Sequence, residues 1–235
     1  MLLAVLFDLY DTLAFIDIED YKHFKAQMAA EAGLATEQFI SRWKHYTQPA
    51  ARGEVLTTEE RVARVLRDLG VEPTKHLVRK LSELETQLQE QHVHLFPDTR
   101  DVLACVKRKG LKLGLVTNTS LATANVPDIL SIQEFFDTVV FSYAVRMLKP
   151  EAGIYRTACE RLRVDPMACL YVGDGNDREL DGARDVGMHT VMVGTQRHEL
   201  VQAEQSTLFD HRIQTLGELL PLVDILQRAS AERSD

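Results

Sequence analysis

The chain has 235 residues, 45% of them hydrophobic and 26% charged, with a formal net charge of -8. That balance provides apolar surface for one sizeable core, with room for a smaller second one, and excludes fibrous, disordered and membrane classes. Both signs of charge are interspersed without a basic stripe, so neither nucleic acid nor a membrane is an expected partner.

The first element is the apolar run Leu2-Leu3-Ala4-Val5-Leu6, continued by Phe7. Such a run reads as a strand buried on both faces of a parallel sheet. It is too short for the hydrophobic region of a secretion signal, no basic segment precedes it, and Asp8 cuts it off, which predicts a cytoplasmic protein. Helical patterning fills the following stretch. Residues 19–32 end at Gly33, and residues 36–46 end before Pro49. Thr57-Thr58-Glu59-Glu60 is a capping box, followed at helical spacing by Val62, Val65, Leu66 and Leu69 up to Gly70. Thr74 opens a further helix with Leu77, Leu81, Leu84 and Leu88 on one face. About four helices and no strand are predicted here. Trp43, the single tryptophan, is assigned to the core of this unit, and Arg52-Gly53-Glu54, between two helices, is a candidate for a loop that reaches inward.

From Phe96-Pro97 onward, helices alternate with short apolar strands. Strands are predicted over residues 112–116, 138–141, 169–173 and 189–193, with a last one near Phe209; helices are predicted over 99–109, 153–162 and 179–186. The alternation predicts an α/β fold, a doubly wound parallel sheet with helices on both faces, which the N-terminal strand joins. The core domain is then 1–14 with 93–235, and a helical domain is inserted at 15–92. Cys105, Cys159 and Cys169 are odd in number without CxxC spacing and read as core thiols in a reducing compartment.

In an open sheet of this kind ligands bind beyond the carboxyl ends of the strands. There the chain places Asp8, Tyr10, Asp11 and Thr12; then Thr117-Asn118-Thr119-Ser120; then Lys149-Pro150; then Asp174 with Asp177, Glu179 and Asp181. Each alone reads as ordinary cap, turn or surface chemistry. Together they bring two carboxylates, a hydroxyl with backbone donors and an ammonium to one edge. Two strand-end aspartates suit a hard cation with oxygen ligands, Mg2+ above all, since it is commonly bound by one or two carboxylates plus substrate phosphate. A free oxygen of Asp8 could attack phosphorus or carbon, giving a covalent intermediate that water resolves. Thr117 and the amides from Asn118 onward would cradle phosphoryl oxygens while Lys149 balances charge.

FDLYDTL, LVTNTS, KPEAGIY and YVGDGNDRELDGARDVGM resemble, in order and spacing, the four motifs of the haloacid dehalogenase superfamily of hydrolases. The helical insertion resembles the four-helix cap of its first subclass, so the likeness covers nearly the whole chain. It implies Asp8 as nucleophile and the Tyr10 main-chain carbonyl and Asp174 as metal ligands beside Asp8. It also implies that Thr117 and Lys149 hold the substrate's charged group, near Thr12 and Asn118. Arg52, in the loop read above as reaching inward, is the candidate contact from the insertion. Glu179 is the second acid, ordering metal-bound water; Asp177 is the competing candidate, and Asp181 reads as a solvated helix residue.

The departure is Tyr10. Phosphatases of the family carry Asp at that place, as general acid and then base; the dehalogenases carry Tyr, since a halide leaves without a proton. Asp174 points the other way, because those dehalogenases lack the metal-binding acid. Without a cation each like-charged pair near 4 Å costs about 4 kcal/mol at an effective dielectric of 20. Tyr10 could donate a proton itself, but a pKa near 10 matches a neutral shuttle poorly. Asp11 caps the turn. The expectation is a Mg2+-dependent phosphatase acting on a small phosphate monoester, as monomer or homodimer. The alternatives are a 2-haloacid dehalogenase-type hydrolase and a weakly catalytic phosphate-binding or regulatory protein.

Overall fold

The structure, a computed structural model, describes residues 1–194 and 205–231. All four residues of β1 (Ala4–Phe7) are buried, and their side chains alternate between the two faces of a sheet. Val5 and Phe7 join one apolar cluster, Ala4 and Leu6 another. Past Asp8 the chain turns at Asp11, whose φ is 57° and whose N–H donates to the Ala14 carbonyl at 2.7 Å, into β2 (Ala14–Ile16). Five helices follow: α1 (Ile18–Glu31), α2 (Thr36–His45), α3 (Thr47–Ala51), α4 (Thr58–Asp68) and α5 (Lys75–Gln91). The chain then returns through β3 (Val93–Leu95), antiparallel to β2 with Ala14 opposite Leu95. No strand is predicted in this stretch, because three residues are too few for a period of two to register. The helices start where capping chemistry puts them: Asp17 accepts from the Glu19 N–H, Thr57 from Glu60 and Thr74 from Leu77. Met28, Phe39, Trp43, Val62, Leu66 and Leu81 share one core, so Trp43 packs inside the insertion.

The remaining elements are α6 (Thr99–Arg108), β4 (Lys112–Thr117), α7 (Val126–Ile129), β5 (Thr138–Phe141), α8 (Ser142–Val145), α9 (Ala152–Leu162), β6 (Cys169–Gly173), α10 (Glu179–Asp185), β7 (His189–Val193), β8 (His211–Ile213) and α11 (Leu219–Ala231). Six strands pair in parallel in the order β5-β4-β1-β6-β7-β8. One face packs Val102 and Val106 of α6 and Val223 of α11; the other packs Ile154, Tyr155 and Ala158 of α9 and Leu180 of α10. This is the doubly wound α/β architecture. The last strand lies two residues beyond Phe209, whose ring instead packs against the second cluster. The pattern does not predict α7, α8 or α11: the first two are four residues long, and Pro221 sits in the first turn of the third. Register aligns Phe7 with Leu115 and Val172, so Asp8, Thr117 and Asp174 leave the sheet at one edge. Among the described residues no helix is long and apolar enough to cross a membrane.

Candidate active site

Three carboxylates meet at that edge. One oxygen each of Asp8, Asp174 and Glu179 lies within 4.8 Å of the others, and all three side chains are buried. Asp8 and Asp174 stand directly after β1 and β6, the central pair of strands; Glu179 is the first residue of α10. Lys149 enters from the segment between α8 and α9. Its Nζ donates to Asp8 Oδ1 and, at 2.6 Å, to Glu179 Oε2. Glu179 is further held by the Tyr171 hydroxyl at 2.8 Å and the Gly175 N–H at 3.1 Å, and the Tyr155 hydroxyl donates to its main-chain carbonyl at 2.7 Å. The glycine that ends β6 makes this possible, since a Cβ on Gly173 would lie 2.0 Å from Glu179 Oε1. Asp174 accepts from the Asn176 N–H at 3.1 Å and from the Asn176 side-chain amide.

The electrostatics follow from burying three acids against one lysine. Burial pushes the Asp8 carboxyl up to about 7, with Glu179 adding to the rise and Lys149 opposing it. Asp174 is raised well above the carboxylate range by burial and then by Glu179 and Asp8. Burial pulls Lys149 down, but Asp8 and Glu179 outweigh it and hold the ammonium above its ordinary value. Such a cluster, with oxygen donors and a surplus of negative charge, fits a divalent cation with oxygen preference.

The other residues named from the sequence distribute around this centre. Thr117 ends β4 and is buried. The hydroxyl of Thr12, four residues past Asp8, is buried without a hydrogen-bond partner among the described residues. Asn118 knits the loops: its Oδ1 accepts from the Lys149 N–H at 2.9 Å, and its Nδ2 donates to Asp177 Oδ2 at 3.0 Å. Asp177, at φ 54°, is thus turned to Asn118, while Glu179 faces Lys149. Asp181 is not solvated: it is buried, accepting from Arg178 Nε at 2.9 Å and from the Thr207 and Leu208 N–H groups. The Tyr10 hydroxyl donates to Gln89 Oε1 of α5 at 3.1 Å, and burial, with Glu85 and Asp8 nearby, pushes its phenol above the usual value. Arg52 donates to Glu151 Oε1 at 2.6 Å, so the loop after α3 touches the core beside Lys149-Pro150. Ser142 strengthens that seam, donating to the Ala51 carbonyl at 2.7 Å and accepting from the Thr119 N–H at 3.0 Å.

Sequence reading did not find Tyr171, Gln89 or Ser142. A tyrosine inside an apolar strand and a glutamine on a helix carry no local signal of what their polar tips touch.

This is a doubly wound α/β protein with a carboxylate-centred site at the strand ends and a helical insertion directly after the first strand. The chain belongs to the haloacid dehalogenase-like hydrolase family, whose model matches residues 2–187. It is 31% identical over 125 residues to haloacid dehalogenase-like hydrolase domain-containing protein 3 of Bos taurus, covering 53% of this chain and 50% of that protein. The chain thus spans about half the length of that relative. It is 28% identical over 228 residues to the glyceraldehyde 3-phosphate phosphatase of Methanopyrus kandleri, covering 95% of this chain and 97% of that one. Among solved structures it is similar in fold to the 2-haloacid dehalogenase of Pseudomonas syringae pv. Tomato DC3000, with a TM-score of 0.71, 22% identity, and coverage of 97% of this chain and 99% of that one.

Proposed function

We propose that the chain is a Mg2+-dependent hydrolase of small phosphate monoesters, with Asp8 as nucleophile and the helical insertion as a cap over the site. The observation that carries this reading is the buried cluster of Asp8, Asp174 and Glu179 against the single ammonium of Lys149. Like charges so close cost about 4 kcal/mol per pair near 4 Å at an effective dielectric of 20, a cost that a dication relieves and that a haloacid carboxylate would increase. The full-length likeness to a phosphatase supports the same reading.

Asp8, Asp174 and the Tyr10 main-chain carbonyl would hold the cation, with Glu179, whose oxygens already serve Lys149, Tyr171 and Gly175, acting through water. Bound there, Mg2+ supplies charge neutralisation of the phosphoryl oxygens. The chain's own residues do the rest. An Asp8 oxygen attacks phosphorus and the ester oxygen departs, leaving an aspartyl phosphate that water then hydrolyses. Lys149 stabilises both the nucleophile and the charge on the transferring group. Thr117, the orphan Thr12 hydroxyl and the amides after Asn118 receive phosphoryl oxygens. Tyr10, at the general-acid position, is a poor general acid, because its phenol is raised and its proton is committed to Gln89. Good leaving groups should therefore react fastest.

Tyr10 favours a second reading, a dehalogenase whose halide needs no proton. One screen separates them: phosphate esters and 2-haloacids, each with Mg2+ and with EDTA. Phosphate release that EDTA abolishes is the expected result. Halide release that persists in EDTA would establish the dehalogenase instead.

A further inference from the structure

A cavity of about 20 Å³, room for roughly one water molecule, lies between the helical insertion and the core. Trp43, Arg61, Glu85 and Gln89 line it from the insertion, and Ser120 and Thr123 from the loop after β4. It adjoins the reaction centre by two routes: Gln89 accepts the Tyr10 hydroxyl, two residues past Asp8, and Ser120 follows Thr117 by three residues.

Its charges do not balance. Lys25 is buried and ion-paired with Glu85, whose other oxygen accepts from Gln89 at 3.4 Å. Arg61 stacks on Trp43, its Cζ 4.1 Å from the ring centroid, and its Nη2 donates only to neutral oxygens, the Trp43 carbonyl at 2.7 Å and the Thr47 hydroxyl at 2.9 Å. Its Nε is buried with no partner among the described residues. Two cations thus share one carboxylate, Lys25 buried and Arg61 half-buried, and one buried guanidinium N–H is left unanswered. A buried N–H without an acceptor is costly, and a guanidinium is shaped to receive a carboxylate.

We propose that this cavity is the leaving-group subsite and that Arg61 selects esters whose leaving alcohol carries a carboxylate. With room for roughly one water, the cavity takes only the carboxylate end of a short alcohol and excludes a second phosphate, and one surplus positive charge matches a monoanionic carboxylate. The substrate class rests on the phosphatase reading; the anion site itself does not.

Trp43 is the only tryptophan and forms a wall of the cavity, so its emission reports occupancy without turnover. Glycolate is expected to shift that emission saturably and ethylene glycol is not, with ionic strength held by chloride. Arg61→Gln should weaken glycolate binding by roughly tenfold to a hundredfold, the worth of a charge-assisted hydrogen bond, and Arg61→Lys by less. In turnover, wild type should show at least a tenfold lower KM for 2-phosphoglycolate than for 2-hydroxyethyl phosphate, a ratio that Arg61→Gln collapses. Equal responses to glycolate and glycol in wild type, a measurement that needs no variant to fold, would overturn the proposal. So would glycolate affinity within twofold of wild type in Arg61→Gln. Saturable glycolate binding without hydrolysis of any phosphate ester would overturn the phosphatase reading and leave the anion site standing.

Discussion

Asp8 carries its charge against burial, and that has a measurable sign. Its folded-state pKa, about 7, lies above the value near 3.9 of an unfolded aspartate. Between those values the folded chain binds more protons than the unfolded one, so stability is greatest below pH 4 on this account and falls as pH rises toward 7. Asp174, raised in the same direction, adds to the slope. Calorimetry of the metal-free protein should show the midpoint falling across this window. Asp8→Asn should flatten part of that fall, keep the fold and abolish turnover; activity within tenfold of wild type would remove Asp8 as nucleophile. Tyr10 makes the complementary test. Tyr10→Asp restores a carboxyl two residues after the nucleophile and should speed alkyl phosphates by up to the roughly 100 to 10,000-fold available to general acid catalysis. p-Nitrophenyl phosphate, whose phenolate leaves unaided, should scarcely change. Equal effects on both esters would mean that proton donation is not what the site lacks.

At the level of elements, the turn from β6 into α10 is the tightest part of the site. Gly173 leaves no room for a side chain under Glu179, which Lys149 and Tyr171 hold from the other side. Gly173→Ala should therefore displace the Glu179 carboxylate and weaken Mg2+ binding by at least tenfold in calorimetric titration; unchanged affinity would show that Glu179 swings aside freely. The seam between insertion and core is built differently, from contacts on the loop after α3. A Cβ on Gly53, whose φ is 71°, would meet the Tyr143 carbonyl at 2.6 Å, and the Arg52–Glu151 pair is partly exposed. Such a pair contributes under about 1 kcal/mol. Arg52→Ala should accordingly leave the melting temperature within about 2 °C and raise KM, read from steady-state kinetics, since the contact holds the loop against the core next to Lys149. A fall in stability of several degrees would make it a structural contact instead.

For the whole molecule, a cation that binds only the folded chain must stabilise it. At a hundred times its dissociation constant Mg2+ adds about 2.7 kcal/mol, which for a chain of this size is roughly 5–10 °C in midpoint. Thermal melts in Mg2+ and in EDTA should differ by that much. Asp174→Ala should erase the difference, and Glu179→Ala should reduce it less. No shift in the wild-type protein would remove Mg2+ from the mechanism.

The sequence by itself determined the sheet and its edge. Buried parallel strands are continuous apolar runs, so four strands are legible within one residue and β1 within two, and the polar residues that follow them must emerge together. Asp8, Thr117, Lys149 and Asp174 are legible for that reason. Tertiary structure decided what depends on where a side chain turns after it leaves its element. Asp177 and Arg178 both adopt left-handed backbone, φ 54° and 53°, and so Asp177 faces Asn118 while Glu179 reaches Lys149; residue types alone leave the two acids interchangeable. The β2–β3 pair is too short to have a period. Nothing in the sequence sets Lys25 or Arg61 apart from the other helix cations, and only the packing of α1, α4 and α5 brings them, one buried and one half-buried, around one carboxylate. Charge that looks solvated along the chain becomes a site when helices distant in sequence take away its water.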